Sequence, residues 1–372
     1  MKITIFETEH FEGAFPVIKL FDTPGNEVSI ITNPDTYRRF ADLFGAEMSR
    51  FQWIIIKEKG KLAFFYSLYK NIRRLSPDLL YLNTISNNHL LYAWVLKFAK
   101  PKQSLLTVHD INCLFESRPG NSFRSRIIHH GKKKLTGRVD RFNVVADTLV
   151  DYLSTKTDKP ISVIPGAVYE PRGVTTAFPA EGVWKIVVPG SIDRKRRDYD
   201  QVFALADLLN SRNIKAEIVL LGGHHDDYGK EIIQRAAKFK KGSCRMKYYE
   251  ESIVDQDEFD QQMDDCHFVF IPSVVHTTIC GEISEVYGIT KSSGNIFDVI
   301  KHAKPFIVPA TLTISESLAS SSIKYESLEE IVVLLEECAK HPENFKRICN
   351  EAEGNSQEFT VEKVRRRMMF DE

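Results

Sequence analysis

The chain has 372 residues, too many for one typical domain and enough for two, and 43% of them are apolar, which suffices for two cores. Lysine plus arginine and aspartate plus glutamate both number 50, and this zero balance argues against a global attraction to nucleic acid. The six cysteines are scattered without a CxxC pair, which argues against a disulfide framework and a structural zinc site. The N-terminus lacks a signal peptide's apolar core, and no stretch approaches the roughly 20 apolar residues of a spanning helix, so we expect a cytoplasmic protein.

The first half of the chain alternates short apolar runs with segments of helical spacing. Strands are predicted at 1–6, 28–32, 53–57, 79–82, 105–108, 138–146 and 161–164, and helices from Pro16 and at 37–44, 62–75, 90–99 and 147–154. Because most of these strands are unbrokenly apolar, they predict a parallel sheet covered on both faces. Such sheets bind ligands at the carboxyl ends of their strands, where the chain places His10, Glu12, Asn83, His109 and Asp110.

A second series follows an irregular segment. Residues 169–183 hold two prolines and two glycines without periodicity, which predicts a linker. Strands are then predicted at 184–189, 216–221, 246–249, 267–271 and 306–309, and helices at 200–212, 230–239, 256–265, 328–340 and 360–369. We therefore expect one domain at 1–168, a second at 184–355, and a C-terminal segment at 356–372.

The stretch 285–309, EVYGITKSSGNIFDVIKHAKPFIVP, joins a polar turn to a helix and a strand. Between Thr290 and Asn295 the residues are small or hydrogen-bonding, apart from Lys291. A serine- and glycine-rich turn before a helix offers unpaired N–H groups and a positive dipole end, which suits a phosphate. The alternative is a helix capped by Ser293 or Asn295 without a ligand.

A basic loop, 193–198 (DRKRRD), follows the first strand of the second series. It therefore lies at a strand's carboxyl end, in the same predicted cleft as the turn around Ser293. Charge runs are usually solvated, and we expect that of Lys195, but we expect Arg196 or Arg197 to bind a ligand. The glycines 222–223 after a later strand fit either a close approach of a ligand or a plain turn.

Two further features admit two interpretations each. His109 and Asp110 can act as an acid/base pair or orient a substrate, or His109 can be structural. Residues 118–141 hold eight Arg or Lys against one Asp with apolar residues interleaved, which fits either an anionic membrane surface or an exposed helix. Nucleic acid is the weaker candidate for this segment because no recognisable module accompanies it.

The two-series layout, the basic loop and the 285–309 block resemble nucleotide-sugar glycosyltransferases of the GT-B fold. The resemblance is closest to the large retaining, family four-like group of bacterial surface polysaccharide and lipid enzymes. In that group the first strand of the second domain is followed by G-R-x-x-x-x-K. Here 190–196 reads GSIDRKR, so Gly190 matches the glycine and Arg196 stands in place of the lysine.

The same group carries E-G-F-G and a second carboxylate further on. Glu285, Tyr287 and Gly288 match the first part. Asp298 stands for the second carboxylate, displaced by the inserted KSSGN. His109 resembles the strand-end histidine near the transferred sugar, and Gly13 resembles the glycine that approaches the donor phosphates and the acceptor.

The resemblance implies two Rossmann-like parallel-sheet domains facing across a cleft, with the C-terminal helix returning to the first domain. It implies a metal-independent transfer of a sugar from a UDP- or GDP-type donor to a saccharide or lipid-linked glycan in surface polysaccharide or glycolipid synthesis. The expected catalytic residues are His109 and Glu285, and the acceptor side is expected to include His10, Glu12 and Asp110. The residues expected to contact the donor are Gly13, Gly190, Arg196, Tyr287, Gly288, Lys291, Ser292, Ser293, Gly294, Asn295 and Asp298.

Two alternatives remain on the same fold. A nucleotide-sugar epimerase would also work between the domains and would need no acceptor. A non-catalytic partner would bind the sugar nucleotide or a membrane complex without turning it over. The partners expected from the sequence are thus a sugar nucleotide, a glycan acceptor and an anionic membrane surface reached through 118–141, with no further cofactor, no metal and no nucleic acid.

Overall fold

The computed structural model describes residues 1–171, 176–239, 242–280 and 282–368. Within them the chain forms a seven-stranded sheet, a six-stranded sheet and one two-stranded hairpin. Every strand pair in the two larger sheets is parallel. The predicted fold class of two α/β domains is therefore confirmed. Of the predicted linker, 172–175 lie outside the described residues.

The first domain builds its sheet in the order β3-β2-β1-β4-β5-β6-β7. Its strands are β1 (Lys2–Phe6), β2 (Glu27–Thr32), β3 (Gln52–Ile55), β4 (Leu79–Leu82), β5 (Gln103–Thr107), β6 (Arg141–Val144) and β7 (Ile161–Val163). Its helices are α1 (Phe11–Phe21), α2 (Pro34–Phe44), α3 (Lys61–Leu75), α4 (His89–Ala99), α5 (Ile111–Phe115), α6 (Phe123–Arg138) and α7 (Val150–Ser154), with 3₁₀ turns at Gly45–Arg50 and Asp147–Leu149.

The second domain builds its sheet in the order β10-β9-β8-β11-β14-β15. Its strands are β8 (Trp184–Pro189), β9 (Ala216–Leu221), β10 (Cys244–Lys247), β11 (Phe268–Phe270), the hairpin strands β12 (His276–Cys280) and β13 (Ile283–Val286), β14 (Phe306–Pro309) and β15 (Ser322–Tyr325). Its helices, with the C-terminal helix, are α8 (Tyr199–Ser211), α9 (Asp227–Ala237), α10 (Gln256–Asp265), α11 (Gly294–His302), α12 (Leu328–Lys340), α13 (Pro342–Gln357) and α14 (Val361–Arg367), with 3₁₀ turns at Ala180–Gly182 and Glu316–Ser321.

Local sequence explains most of these elements. Helix α2 begins after Asn33, whose side chain accepts a hydrogen bond from the N–H of Thr36 at 2.8 Å, and Pro34 occupies the first helical position. The same helix buries Thr36, Phe40 and Phe44, four residues apart, as one stripe against the sheet. Strand β4, LLYL, is buried at all four positions because helices cover both of its faces.

Each sheet has one apolar cluster on each of its two faces, between the strands and the helices that cover them. The protein therefore has four apolar clusters, two in each domain. In the second domain the indole of Trp184 packs against the rings of Phe268 and Phe345, with centroids 5.7 and 5.3 Å apart. Burying one side chain of this size contributes about 1.5–3 kcal/mol. Helix α13, which the sequence did not predict, therefore belongs to the core through Phe345.

Other elements also differ from the sequence-based expectation. The helix expected to begin at Pro16 begins at Phe11, so the proline lies inside α1, where it has no N–H to offer the carbonyl of Glu12. The short helix α5 and the hairpin β12–β13 were not expected. These two elements contact each other across the domains. Tertiary contacts, rather than local sequence, therefore stabilise these short segments.

The C-terminal helix returns to the first domain, as the resemblance implied. Val364 of α14 is buried in the cluster that contains α1 and β1. Arg365 donates to three carbonyls at the end of α1: from Nε to Leu20 at 2.9 Å, and from Nη2 to Lys19 at 2.6 Å and to Asp22 at 2.5 Å. A cation at a helix carboxyl end is favoured by the unpaired carbonyls there. Residues 369–372 lie outside the described part of the chain.

Candidate active site

The two domains bring their switch points together. Strand β1 has β2 on one side and β4 on the other, and β8 likewise lies between β9 and β11. Open parallel sheets bind ligands outside the carboxyl ends of the strands at such a reversal of strand order. Burial raises the pKa of Glu12, which follows β1, and the nearby carboxyl group of Asp298 in the second domain adds to this rise. The carboxyl ends of the first sheet's strands therefore face helix α11 of the second domain across the space between the domains, the cleft, which the backbone bridge from Asp110 to Lys291 spans.

Arg197 holds the loop that follows β8 and is only 7% exposed. Its Nη1 donates to the carbonyl of Ser191 at 2.7 Å, and its Nη2 donates to Oδ1 of Asn295 at 2.8 Å. Asn295 donates from Nδ2 to the carbonyl of Pro189 at 2.9 Å, which fixes α11 against the end of β8. The Nε of Arg197 is buried and has no hydrogen-bond partner among the described residues. The loop thus holds a buried cation with one unused donor, a costly arrangement in the absence of a ligand or water.

Gly190 is the residue that permits this placement. Its φ is +88°, and a methyl group there would come within 2.2 Å of Nη2 of Arg197. A larger residue at this position would be strained by its backbone and would displace the guanidinium.

Arg196, the residue expected to contact the donor, differs in its environment. Its side chain is 49% exposed, and its Nε donates to Oδ2 of Asp193 at 3.2 Å. The chain turns between Asp193 and Arg197, so neighbouring side chains leave it in different directions. The structure buries Arg197, the second of the two arginines that the sequence left open, and leaves Arg196 on the surface of the loop.

Helix α11 begins at the turn that the sequence singled out. Ser293 occupies the cap position, but its side chain makes no capping hydrogen bond within the described chain. A methyl group at Gly294 would meet no atom of the described chain within 4 Å, so packing does not require a glycine there. The turn therefore has the room and the positive helix end that a phosphate needs. Asp298, one turn further on, has a pKa raised by burial, which nearby His302, Lys301 and Arg197 oppose.

Three of the residues expected to contact the donor line a different space. Gly288, Ser292 and Ser293 border a largely apolar cavity of about 540 Å³ between the domains. The cavity is also lined by Phe297 of α11, which packs on the turn at Gly166 beside β7; a methyl group there would come within 2.4 Å of its ring. The turn thus has one side toward Arg197 and another toward this cavity.

Lys291 joins the two domains. Its ammonium pairs with the carboxylate of Asp110, and the backbone of the two residues forms an antiparallel bridge. Burial raises the pKa of Tyr287, while the nearby charges of Lys291, Arg196 and Arg197 oppose that rise. The ammonium of Lys291 lies 5.9 Å from the ring centre of Tyr287 and is neutralised in part by the opposite domain.

Glu285, expected to be catalytic, is completely buried at the same junction. One carboxylate oxygen accepts from the N–H of Cys113 in α5 at 2.7 Å, and the other accepts from the hydroxyl of Thr290. Burial raises the pKa of Glu285, and these two hydrogen bonds oppose the rise. One oxygen thus joins the hairpin to α5, and the other fixes the turn at Thr290 within the second domain.

The first domain contributes two histidines to its side of the cleft. The rings of His10 and His109 have centroids 6.2 Å apart. Burial lowers the pKa of His109, and His10 lowers it further, so the ring of His109 is neutral near pH 7. Its Nε2 lies 3.2 Å from the carbonyl of Asn83, and a neutral ring that donates there keeps Nδ1 as an acceptor.

Glu7 is a residue of this side that the sequence did not indicate. It is fully buried after β1, accepts from Nδ2 of Asn83 at 2.7 Å, and accepts from the N–H of His10 at 2.8 Å. It therefore fixes the loop that carries His10 and leads into the first turn of α1, where Glu12 lies. Gly13 lies in the first turn of α1, where an added methyl group would come 3.7 Å from Nδ2 of Asn83.

No group of three or more His, Cys, Asp or Glu side chains among the described residues is arranged to hold a metal ion. None of the helices in the described ranges is both long enough and apolar enough to cross a bilayer. The basic segment 118–141 contains α6, which packs on α4 and exposes Phe123, Ile127 and Ile128.

Solved structures with the same fold cover nearly the whole chain. The HepE protein of Anabaena, in complex with UDP and glucose, is 12% identical with a TM-score of 0.67, over 98% of this chain and 97% of that one. A glycosyltransferase from Rickettsia africae is 14% identical with a TM-score of 0.61, over 98% and 96%. A UDP-GlcNAc 2-epimerase from Neisseria meningitidis, bound to UDP-GlcNAc, is 11% identical with a TM-score of 0.57, over 98% and 99%. These similarities support the GT-B fold, which both glycosyltransferases and epimerases use.

The sequence matches no protein-family model and no curated protein.

Proposed function

We propose that the protein transfers a sugar from a UDP- or GDP-type nucleotide sugar to a hydroxyl group of a saccharide or lipid-linked glycan. The reaction takes place in the cleft between the two domains. The observation that carries this proposal is the buried Arg197 with its unused Nε, held beside the N-terminus of α11. Both features favour an anion, and a diphosphate is the anion that a sugar nucleotide presents.

In this proposal the leaving diphosphate is stabilised by charges on the second domain. Arg197 supplies a fixed positive charge, and the first N–H groups of α11 donate from the turn at Gly294. Lys291 of the second domain adds a full charge at the edge that faces Asp110 of the first domain. Charge that develops on a leaving group is stabilised most by donors that are already in place, which describes the guanidinium fixed by Ser191 and Asn295.

The remaining site residues have supporting roles. Asp298 accepts from ribose hydroxyls of the donor, in keeping with its place in the family four-like pattern. His109, with a free acceptor nitrogen, faces the acceptor together with His10 and Glu12. Glu285, which is completely buried and has one hydrogen bond on each oxygen, positions the site by joining the hairpin to α5 rather than by touching the substrate.

Calorimetric titration of UDP and GDP tests the anion site. Arg197→Gln removes the charge and the Nε donor, and hydrogen bonds to charged groups are worth about 1.5–3 kcal/mol, so affinity should fall about 10- to 150-fold. Arg194→Gln is the matched control, since Arg194 is an exposed arginine of the same loop. Its affinity should stay within about twofold of the unaltered protein. Equal affinity for both variants, with unchanged melting temperatures, would remove Arg197 from the donor site.

The second candidate is a nucleotide-sugar epimerase. It is supported by the similarity to the Neisseria enzyme, whose fold spans this chain to the same extent. The two functions differ in their products, because an epimerase converts the sugar nucleotide without an acceptor. Chromatography of a UDP-sugar panel after incubation without acceptor distinguishes them: an epimeric sugar nucleotide supports the second candidate. Free nucleoside diphosphate that accumulates only with an added glycan acceptor supports the first.

A further inference from the structure

Helices α3, α4 and α6 form a layer on the first sheet, on the face opposite to α1 and α2. Together they contain 42 residues without one Asp or Glu, in a chain whose charges otherwise balance. Their cations are Lys61, Lys70, Arg73, Arg74, Lys97, Arg124, Arg126, Lys132, Lys133, Lys134 and Arg138. We call the solvent side of this layer the basic face.

Large apolar side chains are concentrated on the same basic face. Of the thirteen that the described chain exposes, seven lie on these three helices. They are Leu62, Tyr66, Trp94, Phe98, Phe123, Ile127 and Ile128. Phe123 is 80% exposed and Leu62 is 75% exposed, so the chain itself does not cover them. A surface that combines exposed apolar groups with one sign of charge is a candidate for contact with a partner.

The three helices present one continuous surface. The backbones of α4 and α6 touch, since a methyl group at Gly131 would come 2.7 Å from the backbone nitrogen of Leu90. Arg138 of α6 donates to the carbonyl of Ala93 in α4 at 2.6 Å. Helices α3 and α4 also pack closely against each other. A flat partner can therefore contact all three helices at once.

We propose that the basic face docks on the surface of an anionic lipid bilayer. Lysine and arginine side chains are attracted to anionic headgroups, and aromatic side chains favour the interface between headgroups and acyl chains. Two exposed lysines already lie over exposed rings: Lys97 over Phe98 at 5.4 Å and Lys70 over Tyr66 at 5.6 Å. This pairing lets the ring enter the interface while the ammonium remains among the headgroups.

A nucleic acid fits the basic face less well. Phosphate backbones are bound by cations and polar groups, and they offer nothing to the aliphatic side chains of Leu62, Ile127 and Ile128. An anionic bilayer can bind both the cations, through its headgroups, and the apolar side chains, through its acyl chains. Nucleic acid is therefore the competing outcome of the experiment below.

Docking in this orientation bears on the acceptor, a step that rests on the proposed function. Lys132 of α6 donates to the carbonyl of Cys113 in α5 at 2.5 Å, and α5 contacts the hairpin of the second domain at the cleft. Helix α6, whose outer side belongs to the basic face, is therefore next to α5, which contacts the second domain. A lipid-linked acceptor embedded in the bilayer would reach the site from this side.

Flotation of the full chain with vesicles tests the docking. With vesicles of roughly 30% phosphatidylglycerol in phosphatidylcholine, which give the negative surface potential of an anionic leaflet, we expect binding that weakens as salt rises from about 0.05 to 0.5 M. Neutral phosphatidylcholine vesicles should bind at least about tenfold less. The variant Lys133→Glu with Lys134→Glu, and separately Trp94→Ser with Phe123→Ser, should each lose about tenfold or more, as expected for two interfacial contacts.

The matched controls lie on the second domain. Arg212→Glu with Lys324→Glu reverses two exposed cations elsewhere, and Val333→Ser replaces an apolar residue that is 55% exposed. Both controls should bind vesicles like the unaltered chain. Loss in the controls equal to the loss in the test variants would overturn the proposal. So would absence of vesicle binding, or binding of duplex DNA or RNA in preference to anionic vesicles.

Vesicle binding is measured without nucleotide, and nucleotide titration without vesicles. Docking that fails while UDP or GDP still binds removes the basic face and leaves the proposed function standing. Docking that succeeds without any binding of UDP or GDP removes the proposed function and leaves the docking of the basic face standing.

Discussion

Replacing Gly294 with alanine separates a ligand role from a structural one. Gly294 is the first residue of α11, and a methyl group there meets no atom of the described chain within 4 Å. Its backbone is also outside the left-handed region, so alanine fits without strain. Such a substitution stabilises a protein by about 0.4–1 kcal/mol through the unfolded chain. At about 2–4 °C per kcal/mol, the melting temperature should stay level or rise by roughly 1–4 °C.

Binding should change in the opposite direction. A phosphate held by the first N–H groups of α11 needs oxygens about 2.7–2.9 Å from the nitrogens, which brings them against any side chain at this position. Loss of one hydrogen bond to a charged group costs about 1.5–3 kcal/mol, so UDP affinity should fall about 10- to 150-fold. Gly354→Ala is the control, because Gly354 lies inside α13 with no atom of the described chain within 4 Å of an added methyl group.

Differential scanning fluorimetry without ligand and calorimetry with UDP and GDP measure the two effects. Gly354→Ala should raise the melting temperature without changing affinity. A Gly294→Ala protein that binds the nucleotide as tightly as the unaltered chain would refute the argument, because it would show that no phosphate lies on this helix end. A fall in melting temperature would instead show that the residues around α11 do not leave room for a methyl group at Gly294.

Three further predictions concern contacts between or within the domains. Lys291→Ala should weaken UDP or GDP binding about tenfold or more in calorimetry. Asp110→Asn frees the ammonium and should strengthen the binding. A change of affinity in the same direction for both variants would contradict the argument. Glu285→Ala should lower the free energy of unfolding by about 1–3 kcal/mol because two donors lose their acceptor, and Glu285→Gln should restore most of it in denaturant titration. Arg365→Ala should cost about 1.5–3 kcal/mol by the same assay, and exposed Arg366→Ala should cost little.

The fold could be predicted because its signals are local. Unbroken apolar runs such as LLYL repeat with helical segments between them, and a parallel sheet is the arrangement that buries such runs on both faces. Caps such as Asn33 and Pro34 also lie within a few residues of the helix that they start. Pro16 misled the prediction because an interior proline is tolerated when the surrounding helix is packed on both sides of it.

The site could be predicted only to the nearest loop. Arg196 and Arg197 are equivalent in sequence, and the choice between them depends on Asn295, 98 residues away, and on the room left by Gly190. The turn around Ser293 was found by composition, but which of its side chains face the 540 Å³ cavity depends on how the domains meet. Adjacent side chains in a turn diverge, and no local pattern reports which of them is buried.

The ion pair between Lys291 and Asp110 gives the domain contact a consequence for the donor. The ammonium belongs to the second domain and the carboxylate to the first, so the pair holds the cleft together only while the lysine has no other anion. A diphosphate beside Arg197 would compete for that lysine with two negative charges against one. Donor binding would then exchange a contact between the domains for one within the second domain.

Two neighbouring hydrogen bonds between the domains do not involve the lysine. They run from the N–H of Ile111 to the carbonyl of Thr290, at 2.9 Å, and from the N–H of Cys113 to Glu285. They can keep the domains together while the ammonium changes partner. Glu285 would then hold the two domains together, and Lys291 would respond to the binding of the donor.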